Sequence, residues 1–324
     1  MPGFVTHYVF GKKAIGIYGQ NQSALADYIN EHREIYDMGL QGPDMFFYYF
    51  LSKVFYKRNI GSIMHTKDIG KFKKNFLEIC LKEKNERKRR IGLSYLAGFV
   101  GHCALDCSCH PYVYAVTDYA HKGKNYFSKH VDLETGIDYI YAGRILGADL
   151  YEYRKKDSFD INSEETKYLA ELYVRAIKKT YPNIKITKRR MRFIINIFKH
   201  NNIVFTDRFG VKKKIVSFIE NVLLKRKTIS PMFVVKNEKR NDKDVMNESR
   251  KIWISPWETD KKRNESFDML FDKALNRYED ALKEINNIIN KSNNEGINEV
   301  TKESMELLFA NLSLHSGLDC SIPS

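Results

Sequence analysis

The sequence of this 324-residue chain predicts an all-α, multi-helix fold on three observations. Apolar residues recur at three- and four-residue steps in ten segments, the period of a helix with one buried face. One segment, Ile91 to Leu105, is almost uniformly apolar, as a helix enclosed by others would be. No stretch alternates apolar and polar residues around hairpin turns, apart from the short Met232-Phe-Val-Val235.

The elements follow in chain order. Residues 22–38 carry the first periodic pattern. Residues 43–57 carry the second, with Pro43 suited to a first helical turn and Gly42 just outside it. Residues 68–84 and 88–106 come next. His110 stands directly before Pro111, and a residue before proline is pushed out of the α region, so this helix is expected to end near 109. Further helices are expected at 129–147, 163–180, 187–201, 211–225, 264–290 and 300–312. Lys236 to Lys251 is polar without a periodic face, and Lys291 to Asn298 is rich in Asn, Ser and Gly; both read as loops. There is no internal repeat.

Composition excludes several classes. With 43% hydrophobic residues, 13% aromatics and only 7 Pro, the chain is neither disordered nor low-complexity. The formal charge is +14, with about +5 in residues 1–150, +13 in 151–250 and −4 in 251–324. Such a basic middle third suits an anionic membrane or nucleic acid, although a solvated lysine-rich face explains it as well. Met1-Pro2-Gly3 opens no secretory pattern, and no run of about 18 apolar residues is long enough to span a membrane. Three of the five cysteines (Cys103, Cys107 and Cys109) crowd into seven residues, unlike a disulfide framework. A cytoplasmic location is the simplest expectation. No P-loop, nucleophile elbow or dinucleotide fingerprint is present.

Histidines and carboxylates carry the chemistry. His102 and Asp106 lie one helical turn apart in the apolar segment, so both emerge on one face, and His110 follows four residues on. His130 and Glu134 repeat the one-turn spacing on the next helix. Either pair alone reads as a buried or surface ion pair. Both together, with Asp106 inside an apolar helix, read as ligands for a borderline metal such as zinc, because an unpaired buried carboxylate costs several kcal/mol. His32, His121, His200 and His315 show no ligand spacing and are expected on the surface or hydrogen-bonded. Phe46, Phe47, Tyr48, Tyr49 and Phe50 are expected mainly in the core.

Taken in order, Thr6-His7, Gly42-Pro43-Asp44, His65-Thr66, Gly101-His102-x-x-x-Asp106-x-x-x-His110-Pro111 and His130-x-x-x-Glu134 resemble the zinc-dependent phospholipase C family of bacteria. Trp253-x-x-x-Trp257 and the helix beginning Glu265-Ser266-Phe267 are similar to the tail of its cytoplasmic members. The resemblance implies a helix bundle of the type shared with zinc-dependent single-strand nucleases. It also implies two or three Zn2+ ions, one held by Asp44, His65, His102 and Asp106 and a second by His110, His130 and Glu134. The third would take His7, Asp106 and the N-terminal amine and carbonyl. Asp44 would orient or deprotonate the attacking water.

The expected activity is therefore hydrolysis of phospholipids, or other phosphodiesters, on the glycerol side of the phosphate. Residues 1–150 would form the metal-binding catalytic part. Residues 151–324 would pack on it as a helical remainder of one continuous domain, touching an anionic membrane peripherally through the basic 151–250 region. A nuclease of the same fold and a non-catalytic, metal-stabilised helical protein are the alternatives, with nucleic acid the weaker partner.

Overall fold

The computed structural model describes residues 3–322 except 20–22, 50–54, 57, 122, 124–125, 157–158, 224, 226, 237, 239–243 and 296–307. It is a helical assembly built around one long helix. In chain order the helices are α1 (Phe4–Tyr18), α2 (Ala24–Glu31), α3 (Arg33–Gly39), a 3-10 helix over Gly42–Tyr48, α4 (Ile60–Thr66), α5 (Ile69–Leu81) and α6 (Glu86–Val116). They continue as α7 (Tyr126–Leu146), α8 (Leu150–Lys156), α9 (Ser163–Thr180), α10 (Lys188–Lys199), α11 (Asn201–Val204), α12 (Val211–Leu223) and α13 (Phe267–Glu295). Two small sheets complete it. In one, β1 (Thr206–Asp207) pairs in parallel with β2 (Val234–Val235). In the other, β3 (Trp253–Ile254) pairs antiparallel with β4 (Lys262–Arg263).

The central element is α6, buried on every side between Ile91 and Tyr114 and packed by α1, α2, α3, α5, α9 and α13. Asn85 caps it by accepting the Lys88 N–H, which satisfies one of the first-turn donors. Buried hydroxyls tie its neighbours together. The Tyr278 hydroxyl donates to the Ala97 carbonyl at 2.8 Å and lies 3.0 Å from the Tyr36 hydroxyl, Tyr36 donates to the Gly11 carbonyl, and Tyr95 pairs with Tyr173 at 2.7 Å. Left unpaired in such a core, each would cost a lost hydrogen bond. One buried apolar cluster runs from Phe4 to Leu314.

Several expected boundaries move. The helix expected to stop near 109 runs through Pro111 to Val116. Proline removes the N–H that would meet the Cys107 carbonyl and its ring crowds that carbonyl, together about 3 kcal/mol, and burial of Tyr112, Val113 and Tyr114 outweighs this cost. The 22–38 segment breaks at His32, which ends α2 and begins α3. The 43–57 segment is a 3-10 helix as far as Tyr48, with residues 50–54 and 57 outside the described residues. α13 continues to Glu295 through the expected 291–298 loop, whose remainder lies outside the described residues. Of the helix expected at 300–312, residues 300–307 lie outside the described residues, and 308–312 form a turn and a bridge from Leu312 to Asp319. The sequence periodicity also missed α1, α4, α8 and α11.

Candidate metal centre

Each site residue is delivered by a local structural cause. α1 lacks a side-chain cap of its own. Its orphan donors are met instead by the fully buried Asp138 of α7, which accepts the Val5 N–H at 3.2 Å, the Thr6 N–H at 2.8 Å and the Thr6 hydroxyl at 2.7 Å. A carboxylate there also complements the positive end of the helix dipole, and Arg154 balances its charge at 3.1 Å. This anchor fixes the first turn, and His7 in that turn faces Asp106 on α6. Gly42 has a φ of +49°, and a Cβ there would sit 2.4 Å from the His102 ring. Only glycine lets the chain turn this tightly over His102 and set Asp44 beside it. His65 lies in the last turn of the short α4, capped by Asn59.

All eight residues expected at the site converge, and all are buried. Three groups form, with ligand atoms within 4.8 Å of one another: His7, His102 and Asp106; Asp44, His65 and His102; and His110, His130 and Glu134. Asp106 links the first two, its oxygens lying 3.2 Å from His7 Nε2, 3.1 Å from His102 Nε2 and 3.6 Å from His65 Nε2. Asp44 Oδ1 lies 3.1 Å from His65 Nε2, and Glu134 Oε1 2.8 Å from His130 Nε2. The arrangement differs from the expectation in two respects: His102 faces both of the first two groups, and Asp106, expected with Asp44, His65 and His102 as well as with His7, is grouped with His7 and His102. The N-terminal amine and carbonyl expected beside His7 belong to residues outside the described ones.

The outer nitrogens of four of the five site rings are engaged, while His7 Nδ1 is buried without a hydrogen bond. His65 Nδ1 pairs with the Gly61 carbonyl at 2.8 Å, His102 Nδ1 with the Leu40 carbonyl at 3.2 Å, and His110 Nδ1 with the Leu314 carbonyl. His130 Nδ1 pairs with the Tyr126 hydroxyl at 3.1 Å. A carbonyl partner fixes the tautomer with the proton outward, which leaves the lone pair of Nε2 turned to the centre. There, Nε2 of His7, His65, His102 and His110, both oxygens of Asp106 and Asp44 Oδ1 make no hydrogen bond although buried.

Seven orphaned polar atoms in one place would be prohibitive without a further partner. A cation suits them. Two zinc ligands at about 2.0–2.1 Å in tetrahedral array stand roughly 3.3 Å apart, and the facing donors span a similar range. The donor set of neutral imidazoles and carboxylates suits a borderline divalent cation, zinc among them.

The electrostatics agree. Burial lowers His7, His110 and His130, so these rings are neutral and able to ligate at pH 7. Burial would lower His65 too, but the Asp106 and Asp44 carboxylates against it prevail and push it up to about 9. Asp106 is held well below the usual carboxylate range: burial opposes this, and the facing histidines outweigh it. Without metal, a proton on His65 occupies the place of a cation. Burial raises Cys103 to about 12 and Cys109 well up, so both are neutral thiols, and neither joins a metal-binding group.

The sequence missed the contribution of the C-terminal segment. Leu314 donates its N–H to the His65 carbonyl at 2.7 Å, Ser313 donates its hydroxyl to the same carbonyl at 3.3 Å, and the Leu314 carbonyl serves His110. His315, expected at the surface or merely hydrogen-bonded, stands half-buried among His65, His110 and Tyr114, with ring centroids at 5.5, 6.2 and 5.2 Å. No spacing signal could place a residue 181 positions beyond Glu134 in this cleft. Of the other histidines, His121 and His200 are exposed and His32 is buried beside Glu31. Phe46 and Tyr49 are core residues, whereas the Phe47 ring lies 5.2 Å from His65.

Compared with known proteins, the chain matches the family model described as zinc dependent phospholipase C over residues 6–190. That span contains all eight converging residues and ends before the C-terminal segment. No curated protein matches the chain, and no solved structure does.

Proposed function

Since the chain belongs to the zinc-dependent phospholipase C family, we propose that it hydrolyses phospholipids on the glycerol side of the phosphate, using two or three zinc ions. The observation that carries this reading is the set of buried, orphaned imidazole nitrogens and carboxylate oxygens turned to one centre. A purely structural zinc needs only four ligands, and the six side chains that carry these atoms exceed that need.

Asp44, His65 and His102 would hold one ion, His110, His130 and Glu134 a second, and His7 with Asp106 a third, because the single Nε2 lone pair of His102 serves one ion. Bound zinc would supply Lewis acidity and bring the pKa of a coordinated water to about 7. Asp44 would align the nucleophile and accept its proton once the proton on His65 Nε2, which faces its Oδ1 at 3.1 Å, is displaced on metal binding. Asp106, touching histidines of all three groups, would fix their separation. The carbonyls of Gly61, Leu40 and Leu314 would keep the rings from turning. Tyr114 and His315 would wall the centre from bulk water.

No helix among the described residues is long and apolar enough to cross a membrane. All five cysteines are free thiols, which supports a cytoplasmic location as part of this reading. The test is metal content per chain, followed by release of phosphorylated headgroups from lipid vesicles. Two or three zinc ions with headgroup release are expected. Nucleotide release from single-stranded DNA instead would reassign the substrate, and a folded protein that takes up no zinc would end the hydrolase reading.

A further inference from the structure

Helix α12, with its flanks, presents a surface unlike the rest of the molecule. At 3.6 residues per turn, Val211, Ile215, Phe218, Ile219, Val222 and Leu223 form one stripe, and every one of them is exposed. Phe218 and Leu223 are 70% and 73% exposed, and the preceding Phe209 is 75% exposed. A stripe this wide and apolar normally faces a core.

The opposite side of the helix is where it meets the body. Glu220 is buried and accepts the Thr228 N–H at 2.8 Å, the Thr228 hydroxyl at 2.6 Å and the Ser230 N–H at 3.1 Å. Lys213 pairs with Glu238 at 2.6 Å. The outward side is thus apolar by construction, because the polar side is already committed.

Charge identifies the occupant. Residues 208–227 hold seven basic residues (Arg208, Lys212, Lys213, Lys214, Lys225, Arg226 and Lys227) against the single carboxylate of Glu220, which is turned inward. On the helical wheel Lys214 borders the apolar stripe, whereas Lys212 lies within it and donates its ammonium to the Thr206 carbonyl at 3.1 Å. The Lys214 ammonium can reach outward past a seated apolar face. An apolar stripe bordered by cations, with no exposed acid, complements an interface of acyl chains below anionic headgroups. A second copy of this chain would bring the same cations against themselves, which disfavours self-pairing.

We propose that α12 is a membrane-docking helix, which lays its apolar stripe into a lipid surface bearing anionic headgroups. The proposal deepens the phospholipid reading of the metal centre and rests on it for the meaning of docking. The link is structural as well. The short turn Ser230–Met232 that receives Glu220 packs on α7, the helix carrying His130 and Glu134, and Tyr139 of α7 donates to the Val235 carbonyl at 3.0 Å.

The experiment is co-sedimentation of the full chain with phosphatidylcholine vesicles, with and without phosphatidylglycerol, at low and high salt. Light scattering reports the oligomeric state in parallel. Binding to the anionic vesicles that weakens with salt is expected. The double variant Phe218→Ser/Leu223→Ser should lose at least about tenfold in vesicle affinity. Lys214→Gln should lose about fivefold on anionic vesicles only. Ile252→Ser, a control at an exposed residue outside this stripe (68% exposed), should bind as the parent does.

Absence of binding to any vesicle, or unchanged binding by the double variant, overturns the proposal. So does a dimer that the double variant dissolves while vesicle binding is absent, which would assign the stripe to a second copy. The two readings separate cleanly. Vesicle binding without headgroup release supports docking and refutes the hydrolase, whereas hydrolysis of a soluble short-chain phosphodiester without vesicle binding does the reverse.

Discussion

Replacing Gly317 by valine should weaken one class of metal site more than the others. Gly317 has a φ of +68°, a left-handed conformation that costs an L-residue roughly 1–2 kcal/mol, and more for a β-branched one. A Cβ there would also lie 2.3 Å from the Cys107 carbonyl oxygen, part of the rigid central helix and the group left without its helical donor by Pro111. The helix cannot yield, so the turn must. That turn is closed by Gly317 N–H to Ser313 O at 2.8 Å and Ser313 N–H to Leu318 O at 2.7 Å, and it moves as a unit, taking the Leu314 carbonyl off His110 Nδ1.

Loss of such an orienting partner costs about 10–100-fold in metal affinity, or roughly 1.4–2.7 kcal/mol. His65 and His102 take their ring partners from Gly61 and Leu40 instead; because the turn also donates the Leu314 N–H to the His65 backbone carbonyl, the groups containing them should weaken, but by clearly less than the His110 group. Zinc competition against a chromophoric chelator resolves the classes. The helical circular dichroism of the metal-free variant should match the parent. Unchanged affinity in every class would refute the reasoning, as would equal weakening of all classes with the helical signal intact.

Four further outcomes follow from the same geometry. Asp106→Asn should lose metal from more than one group and lower activity by about two orders of magnitude or more, measured by elemental analysis and turnover, because its oxygens face His7, His65 and His102. Asp44→Asn should slow turnover by about 10²–10⁴-fold while the melting temperature of the metal-free protein holds, as expected of a base. Zinc added near pH 7.5 should release at least about one proton per chain, read by an indicator dye, because His65 at about 9 carries a proton there until the metal displaces it; His65→Ala should abolish that proton. Burial opposes ionisation of Glu220, but hydrogen bonds from Thr228, Ile229 and Ser230 prevail and lower it to about 2. Its stabilising contribution is therefore complete above the unfolded value near 4.5 and is lost as pH falls toward 2. The gap in melting temperature between the parent and Glu220→Gln should accordingly narrow between pH 6 and pH 3.

Periodicity made most of the fold legible, and it failed where tertiary partners override local preference. α9, with its Asn162–Glu165 capping box, and the amphipathic α10 carry their limits in their own residues. α1 does not: it is apolar nearly all round, is interrupted by Gly11 and Gly16, and owes its first turn to Asp138, more than 130 residues away. The end expected at Cys109 rested on a sound rule about the residue before proline. What it could not include was the burial of the turn beyond, or the segment near Gly317 that shields the freed Cys107 carbonyl.

The candidate site divides along the same line. His102, Asp106 and His110 on one helix, and His130 and Glu134 on another, are visible because one helical turn separates them, and a turn is a distance that a sequence encodes. His7, Asp44 and His65 have no such spacing; they were reachable only through the order of motifs across the family. The groups that orient the rings are invisible to both routes. The carbonyls of Leu40, Gly61 and Leu314 are backbone atoms that any residue would supply, so no residue type marks them. The family match ends at residue 190, so the Leu314 partner lies outside it as well. The orienting partner of His110 is thus set by where the C-terminal turn comes to rest. Gly317 is the residue in that turn whose identity is dictated, since only glycine meets both its φ and its contact with Cys107.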